Sequence, residues 1–169
     1  MSRTGTGWCF EVCERLRALP GFENAPDNTP WVVSAGVIGS STQQPARSGK
    51  WRAWLCGYGA THTDTLMQQV AIPSTAVATS LTFWLHVDSA ELLTSGAKDT
   101  LKVQIRDANG TVLETLATYS NLDAAGGYAI KGFDLQSYIG KTIQIYLVGS
   151  EVGTRQTSFV VDDFALRIK

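Results

Sequence analysis

The chain has 169 residues, enough for one domain with its own hydrophobic core. Its net charge of −1 gives no electrostatic reason to expect nucleic acid as a partner, and its 17% of charged residues suits a globular protein. Its apolar runs fall short of the ~20 residues that span a bilayer, so we expect no membrane partner.

The first twenty residues differ in character from the rest. Residues 8–17 have the spacing of a short amphipathic helix that Pro20 would end, although isolated helices this short are marginal in water. We therefore predict an N-terminal extension over residues 1–20, either a short helix or disordered, and one domain over residues 21–169. The extension lacks the apolar core of a signal peptide, so a secreted protein would take its signal from outside this chain.

The three cysteines are Cys9, Cys13 and Cys56. Their odd number and their spacing match neither a disulfide framework nor a zinc motif. We interpret Cys9 and Cys13, one helical turn apart, as incidental thiols rather than a metal or redox pair.

From Gly21 onward the sequence predicts strands. Apolar and polar residues alternate in short runs, which are separated by Gly, Pro and an Asn-Gly pair. Nine strands are predicted, within residues 31–38, 51–56, 66–72, 81–87, 101–106, 111–116, 128–135, 143–148 and 159–168. No long helix or repeat interrupts them, so we predict an all-β fold, an antiparallel β-sandwich of the jelly-roll type.

Alternation also separates a core face from an outer face on each strand. The predicted core faces are apolar, and they carry Leu81, Phe83, Leu85, Leu101, Val103, Ile105, Ile143, Ile145 and Leu147. The predicted outer faces carry rings, amides and cations, and six of these residues are our candidate ligand contacts: Trp84, His86, Gln104, Arg106, Gln144 and Tyr146.

These six residues would form one surface if their strands share a sheet. Such a surface suits sugars, because the C–H faces of a sugar stack on aromatic rings while its hydroxyls hydrogen-bond to Gln, Arg and His. The alternative is a solvated sheet face, or one covered by a loop that hides Trp84. A second aromatic group, Trp54, Tyr58 and His62, surrounds the loop after Cys56, and we interpret it as an anchor for that loop.

The last predicted strand contains two adjacent carboxylates, Asp162 and Asp163, in an apolar run. Asp is a poor strand former, and a buried carboxylate is costly without a partner. Alternation places Asp162 on the core face, and Glu23 would reach it if the two chain ends lie side by side. Two partners remain open: a calcium ion, with Asp163 or Asp64 as further ligands, or the backbone N–H groups of a loop.

Catalytic motifs are scarce. His62-Thr63-Asp64 and His86-Val87-Asp88 each place a histidine and an aspartate on one side of a strand. The sequence has neither a nucleophile elbow nor a His-Glu-x-x-His zinc motif. We therefore predict that the chain is not an enzyme, with a small stand-alone hydrolase using one His-x-Asp pair as an alternative.

Several segments, in their order along the chain, resemble the galactose-binding-type jelly rolls attached to secreted bacterial hydrolases. They are Gly21-Phe22-Glu23 with Trp31, then residues 46–55, 64–70, 81–85 and 161–164. The likeness covers residues 21–169 and is greatest to the carbohydrate-binding-module-like C-terminal modules of extracellular peptidases, including kumamolisin-like serine-carboxyl peptidases.

The resemblance implies a non-catalytic module, often with a structural calcium ion held by Glu23 and Asp162, and by Asp163 in addition. It also implies secretion, a neighbouring hydrolase domain in the parent protein, and a glycan or protein surface as the ligand. Cys56 departs from the pattern, which has an acidic or small residue before Gly57-Tyr58-Gly59. We predict a calcium-stabilised binding module, and the alternative is a structural module that stabilises an adjacent catalytic domain.

Overall fold

A computed structural model describes residues 15–17, 19, 21–92 and 96–169. These residues form eleven strands and no α-helix: β1 Arg15–Arg17, β2 Val32–Val33, β3 Ile38–Gly39, β4 Arg52–Cys56, β5 His62–Ala71, β6 Thr79–Ser89, β7 Thr100–Asp107, β8 Val112–Ser120, β9 Ala129–Asp134, β10 Thr142–Glu151 and β11 Thr157–Ile168. Single 3-10 turns lie at Phe22–Asn24, Asn121–Asp123 and Gln136–Tyr138. Within this part of the chain no helix is long and apolar enough to cross a membrane.

The strands form two antiparallel sheets. The six-stranded sheet has the order β3-β4-β11-β6-β9, and β1 pairs with β11 beyond the end of β4. The five-stranded sheet has the order β2-β5-β10-β7-β8. The two sheets pack face to face, so the predicted all-β jelly-roll sandwich is confirmed.

The core lies between the sheets. Every residue assigned to a core face from the alternation is at most 3% exposed, because period-two patterning turns one side of each strand inward. Aromatic rings fill one region of the core: Trp31 lies 5.3 Å from Phe22 and 5.0 Å from Phe164, and Phe164 lies 4.8 Å from Phe83 (centroid distances). Phe22 and Trp31, at the start of the domain, are thereby packed against the last strand.

The N-terminal segment differs from its prediction. Residues 15–17 form a strand rather than part of a helix, and Arg15 pairs with Ile168 while Arg17 pairs with Leu166. Leu19 is 4% exposed and belongs to the core, so the domain includes residues before the predicted boundary at residue 21. The free edge of β11 offers this segment backbone partners that an isolated short helix lacks. The rest of the predicted helix, with Cys9 and Cys13, lies outside the described residues.

The strand predicted over residues 31–38 divides into two. β2 pairs with β5 in the five-stranded sheet, whereas β3 pairs with β4 in the six-stranded sheet. Gly36, with φ of +81°, turns the chain between the two sheets. This division and the added β1 account for eleven strands where nine were predicted.

Candidate functional site

The six predicted ligand contacts lie on both sheets. Trp84 and His86 are on β6 of the six-stranded sheet. The other four are on β7 and β10 of the five-stranded sheet: Gln104, Arg106, Gln144 and Tyr146. The outer faces of a sandwich point in opposite directions, so the single six-residue surface predicted from the sequence is wrong.

Part of the outer face of the six-stranded sheet, around Trp84, is covered by the 40–51 loop, which connects β3 to β4. The Arg47 guanidinium lies 3.7 Å from the centroid of the Trp84 ring. Gln44 Nε2 donates to Asp88 Oδ2 at 2.7 Å, and the Tyr128 hydroxyl donates to the carbonyl of Pro45 at 2.9 Å. The loop therefore covers Trp84 in part, and the side chain is left half-buried. A loop over this face is the alternative that the sequence left open.

Asp162 is buried beneath this loop and not in the core. A β-bulge separates Asp162 from Ala165, and Asp163 within it has φ of +51°. The bulge reverses the alternation, so Asp162 pairs with Trp84 on the outer face, contrary to its predicted inward position. Asp162 is 3% exposed, and its Oδ2 accepts hydrogen bonds from Arg47 N at 2.9 Å and Ser48 N at 3.2 Å. Burial raises the pKa of the Asp162 carboxyl above its ordinary value.

Glu23 binds the same loop from the other chain end. Its Oε1 accepts hydrogen bonds from Lys50 N at 3.0 Å and Trp51 N at 2.8 Å. Gly49 lies between Ser48, which Asp162 binds, and Lys50, which Glu23 binds. It has φ of +62°, and a Cβ at this position would lie 2.5 Å from the Glu23 carboxylate. The predicted convergence of Glu23 and Asp162 is thus seen as two carboxylates holding successive residues of one loop, 47–51.

The donors here are suited to calcium in type. Glu23, Asp162 and Asp163 offer only oxygen, and hydrogen bonds from the described residues reach only Oε1 of Glu23, leaving its Oε2 for another partner. Asp163 also forms an ion pair with Arg47. No group of three or more His, Cys, Asp or Glu side chains in the described residues forms a metal cluster. Carbonyls of the loop would therefore supply most of the six to eight oxygens that calcium takes.

Asp64 does not join this group. Its Oδ2 accepts from Cys56 N at 2.8 Å, and its Oδ1 lies 3.1 Å from His62 Nε2. Cys56 pairs with Ser158, four residues from Asp162 along β11, which is roughly 13 Å. The prediction that Asp64 shares an ion with Glu23 and Asp162 is therefore wrong.

Asp64 belongs instead to a set of three fully buried carboxylates with Asp99 and Glu151, each 0% exposed. Glu151 accepts four backbone N–H groups, from Gly57 at 3.0 Å, Tyr58 and Gly59 at 2.9 Å, and Thr157 at 3.2 Å. Successive N–H groups that gather around one carboxylate form an anion nest, and here the anion is part of the chain itself. Asp64 and Glu151 therefore fix the end of β4 and the loop after it, while Asp99 bonds Val152 and Thr157.

The two His-x-Asp pairs of the hydrolase alternative differ in their contacts. His86 Nδ1 lies 3.1 Å from the carbonyl of Gly127, while Asp88 is bonded to Gln44, so these two do not orient each other. His62 does contact Asp64, and its ring stacks on Tyr58 with a centroid distance of 4.0 Å. Tyr58 and His62 thus stack on each other while Tyr58 stays 50% exposed, and the anchoring role of the aromatic group stays a prediction.

Cys56 and His62 both contact Asp64, but Cys56 is not an activated nucleophile. Burial, reinforced by Asp64, Glu151 and Asp99, raises the pKa of the Cys56 thiol to about 12. The thiol is therefore protonated at neutral pH, whereas a nucleophilic cysteine needs a lowered pKa.

This pKa predicts a slow alkylation of Cys56. A rise from 9.0 to about 12 lowers the thiolate fraction about a thousandfold, and Cys56 is only 4% exposed. In a Cys9→Ser, Cys13→Ser background, iodoacetamide at pH 8 should modify the folded protein at least a hundredfold more slowly than the urea-unfolded protein. Equal rates, measured by intact mass, would contradict the buried thiol.

The outer face of the five-stranded sheet brings the remaining four predicted residues together. Tyr146 pairs with Gln104, and Gln144 pairs with Arg106 in the next row. The Arg106 guanidinium lies 3.4 Å from the centroid of the Tyr146 ring, and its Nε and Nη2 donate to Gln104 Oε1 at 3.1 and 2.8 Å. The cation, the ring and the amide thus form one ordered group.

This face has no cover comparable to the 40–51 loop among the described residues. The amides of this face donate only to nearby residues of the same sheet. Gln104 Nε2 donates to Thr115 Oγ1, and Gln144 Nε2 donates to the carbonyl of Ala108 at the β7–β8 turn, both at 3.4 Å. The face is extended by three residues that the sequence interpretation missed: Met67, Gln69 and Val32. Met67 pairs with Tyr146 and with Val32, and Gln69 pairs with Gln144. The alternation along β5 places Met67 and Gln69 on the outer face. Only the pairing of β5 with β10 shows that they lie beside Tyr146 and Gln144.

The architecture is shared with solved β-sandwich domains, several of which are carbohydrate-binding modules. No protein-family model matches the sequence, and no curated protein matches it significantly. The likeness is therefore one of fold, at sequence identities below 20%.

Three of these structures span nearly the whole domain. TmCBM61, solved in complex with β-1,4-galactotriose, is 18% identical with a TM-score of 0.63, over 89% of this chain and 95% of that one. The K1 cleaved adhesin domain of Lys-gingipain from Porphyromonas gingivalis W83 is 17% identical with a TM-score of 0.54, over 89% and 95%. The CBM22-1 xylan-binding domain of Paenibacillus barcinonensis Xyn10C is 13% identical with a TM-score of 0.51, over 88% and 90%.

Proposed function

We propose that this chain is a non-catalytic glycan-binding module whose site is the outer face of the five-stranded sheet. The observation that carries the proposal is the contrast between the two outer faces. The 40–51 loop covers one of them around Trp84, whereas the other presents an aromatic ring, an arginine and Gln144, with the buried Gln104 supporting the arginine. Structures of the same fold whose names describe carbohydrate-binding modules support the choice of ligand class.

The chemistry of this face suits a sugar chain. Tyr146 and Met67 offer an apolar surface for C–H groups, while Gln144 and Arg106 offer amide and guanidinium hydrogen bonds. Gln104 is only 9% exposed, and it acts by holding Arg106 in place. A site that combines apolar surface with a few placed polar groups is the usual form of a small-molecule site. The Arg106–Gln104 bonds hold the polar groups in position, which lowers the ordering cost of binding.

Affinity electrophoresis against a panel of neutral and acidic polysaccharides tests the proposal. The protein should be retarded by at least one of them, and a reducing-end assay on the same polysaccharides should show no hydrolysis. Migration unchanged by every polysaccharide would overturn the proposed function, and turnover would overturn its non-catalytic part.

We further propose that calcium binds at the 47–51 loop, held by Glu23 and Asp162 with Asp163 nearby. The support is the convergence of carboxylates from both chain ends on this loop, together with Oε2 of Glu23, which takes no hydrogen bond from the described residues. An ion at this place would join the start of the domain to its last strand and stabilise the folded state by mass action.

Calcium should therefore raise the melting temperature. At a hundred times the dissociation constant, binding contributes about 2.7 kcal/mol, or roughly 5–10 °C for a domain of this size. The rise should disappear in EDTA and in a Glu23→Gln variant, while Asp134→Asn, which changes an exposed aspartate on β9, should retain it. Identical melting curves in calcium and EDTA would contradict this site.

We also propose that the module belongs to a secreted hydrolase, and that a peptidase is its parent. The support is the resemblance of the Gly21-Phe22-Glu23 and Asp162-Asp163 segments to modules of extracellular peptidases. The coding sequence around this chain tests it directly. An export signal and a hydrolase domain in the same reading frame are expected, and a cytoplasmic protein without either would contradict the proposal.

A further inference from the structure

We propose that the outer face of the five-stranded sheet selects polysaccharides that carry carboxylates, that is, uronate-containing chains. This inference rests on the glycan-binding function proposed above and names its ligand class. The outward strand positions of this sheet include two cations, Arg106 and Lys102, and no aspartate or glutamate. The chain has a net charge of −1, but its charges are unevenly distributed, and this face is positive.

The nearest acidic side chains of the sheet do not neutralise this face. Asp107 ends β7, and its Oδ1 accepts N–H groups of its own turn, from Asn109 and Thr111 at 2.9 Å. Glu114 pairs with the inward-facing Ile105, and its Oε2 accepts the Tyr138 hydroxyl at 2.6 Å. Both carboxylates are thus engaged away from the outward row.

Neither cation has a carboxylate partner in the described chain. The ion pairs there are Arg47–Asp163, His62–Asp64 and Lys98–Glu91. Arg106 uses Nε and Nη2 for Gln104 and rests on Tyr146, so its Nη1 hydrogens remain for a ligand. A guanidinium already fixed in this way presents a planar donor group to a carboxylate with little further ordering.

The spacing favours a polymer over a single acid. Lys102 and Arg106 are four residues apart on β7, roughly 13 Å, and both project from the outer face. Gln144 lies beside Arg106 on the neighbouring strand, so a sugar hydroxyl next to a bound carboxylate would meet its amide. A chain with repeated carboxylates can contact both cations at once, which a monomeric uronic acid cannot do.

Titration calorimetry with polygalacturonate and with the same polymer after carboxyl reduction tests this selectivity. The acidic polymer should bind at least tenfold more tightly, and its affinity should fall as salt is raised. Arg106→Gln should weaken binding at least tenfold and Lys102→Gln by a few fold. Arg106→Lys, which keeps the charge but loses the planar fork, should also weaken it. Lys50→Gln, which removes a cation from the 40–51 loop, should have no effect.

The outcomes separate the two proposals. Equal affinity for the acidic and the reduced polymer would overturn the uronate selectivity while leaving glycan binding intact. Preference for a sulfated glycan over polygalacturonate would overturn the carboxylate assignment. Binding to none of the neutral or acidic polysaccharides would overturn the proposed function itself. Melting temperatures of the Arg106 and Lys102 variants within a few degrees of wild type would show that any lost affinity is not unfolding.

Discussion

Replacing Tyr146 by alanine is expected to weaken glycan binding at least tenfold, a loss of about 1.4 kcal/mol. Tyr146 lies on the central strand of the five-stranded sheet, where it pairs with Gln104 on one side and Met67 on the other. Its ring supports the Arg106 guanidinium at 3.4 Å. Alanine would therefore remove the stacking surface and release the cation in a single change, as expected for a central aromatic anchor.

Two variants control this result. Tyr146→Phe keeps the ring and should bind like wild type within about threefold. Trp84→Ala removes the ring under Arg47 on the covered face; it should lower stability while leaving affinity unchanged. The affinity of each variant is measured by calorimetry with the polysaccharide of the panel that binds wild type most tightly. A loss of affinity in Trp84→Ala that exceeds the loss in Tyr146→Ala would place the site on the six-stranded sheet and contradict the proposed site.

Replacing Glu151 by alanine is expected to destabilise the fold by about 3–5 kcal/mol. The carboxylate is fully buried and accepts the N–H groups of Gly57, Tyr58, Gly59 and Thr157. Each donor that is left buried without an acceptor costs about 1–3 kcal/mol, and water will satisfy some of those in the loop. For a domain of this size the loss corresponds to roughly 10–15 °C in melting temperature.

Urea unfolding of matched variants measures this effect. Glu151→Gln keeps one acceptor oxygen but presents an NH₂ group to N–H donors, so its cost should be intermediate. Glu114→Ala removes one hydrogen bond, to the Tyr138 hydroxyl, and should cost about 1 kcal/mol. A Glu151→Ala protein as stable as Glu114→Ala would show that the 57–59 loop does not depend on this carboxylate.

The fold follows from local patterning, which is why the sequence predicts it well. Alternating runs such as Leu81–Leu85 bury one side of a strand whatever its neighbours are, and every predicted core-face residue is buried. The sequence also predicts that Asp162 has a partner, because an acid within an apolar last strand needs one. The structure provides loop N–H groups, one of the two partners that the sequence left open.

The errors arise where a single residue changes the alternation or where strand order matters. The bulge at Asp163 reverses the faces of β11, so the predicted inward position of Asp162 fails although the residue is buried. Trp84 and Tyr146 have the same pattern of neighbours in sequence, but strand pairing assigns them to opposite faces. Pairing depends on contacts distant in sequence, and alternation within one strand carries no information about it.

Chemical-shift mapping by ¹⁵N NMR, during titration with the polysaccharide that binds best, tests the location of the site most directly. We predict the largest amide shifts in β10, β7 and β5, around Tyr146, Gln104 and Met67, with the 40–51 loop nearly unchanged. Shifts concentrated in that loop and in β6, around Trp84, would contradict the assignment of the site to the five-stranded sheet.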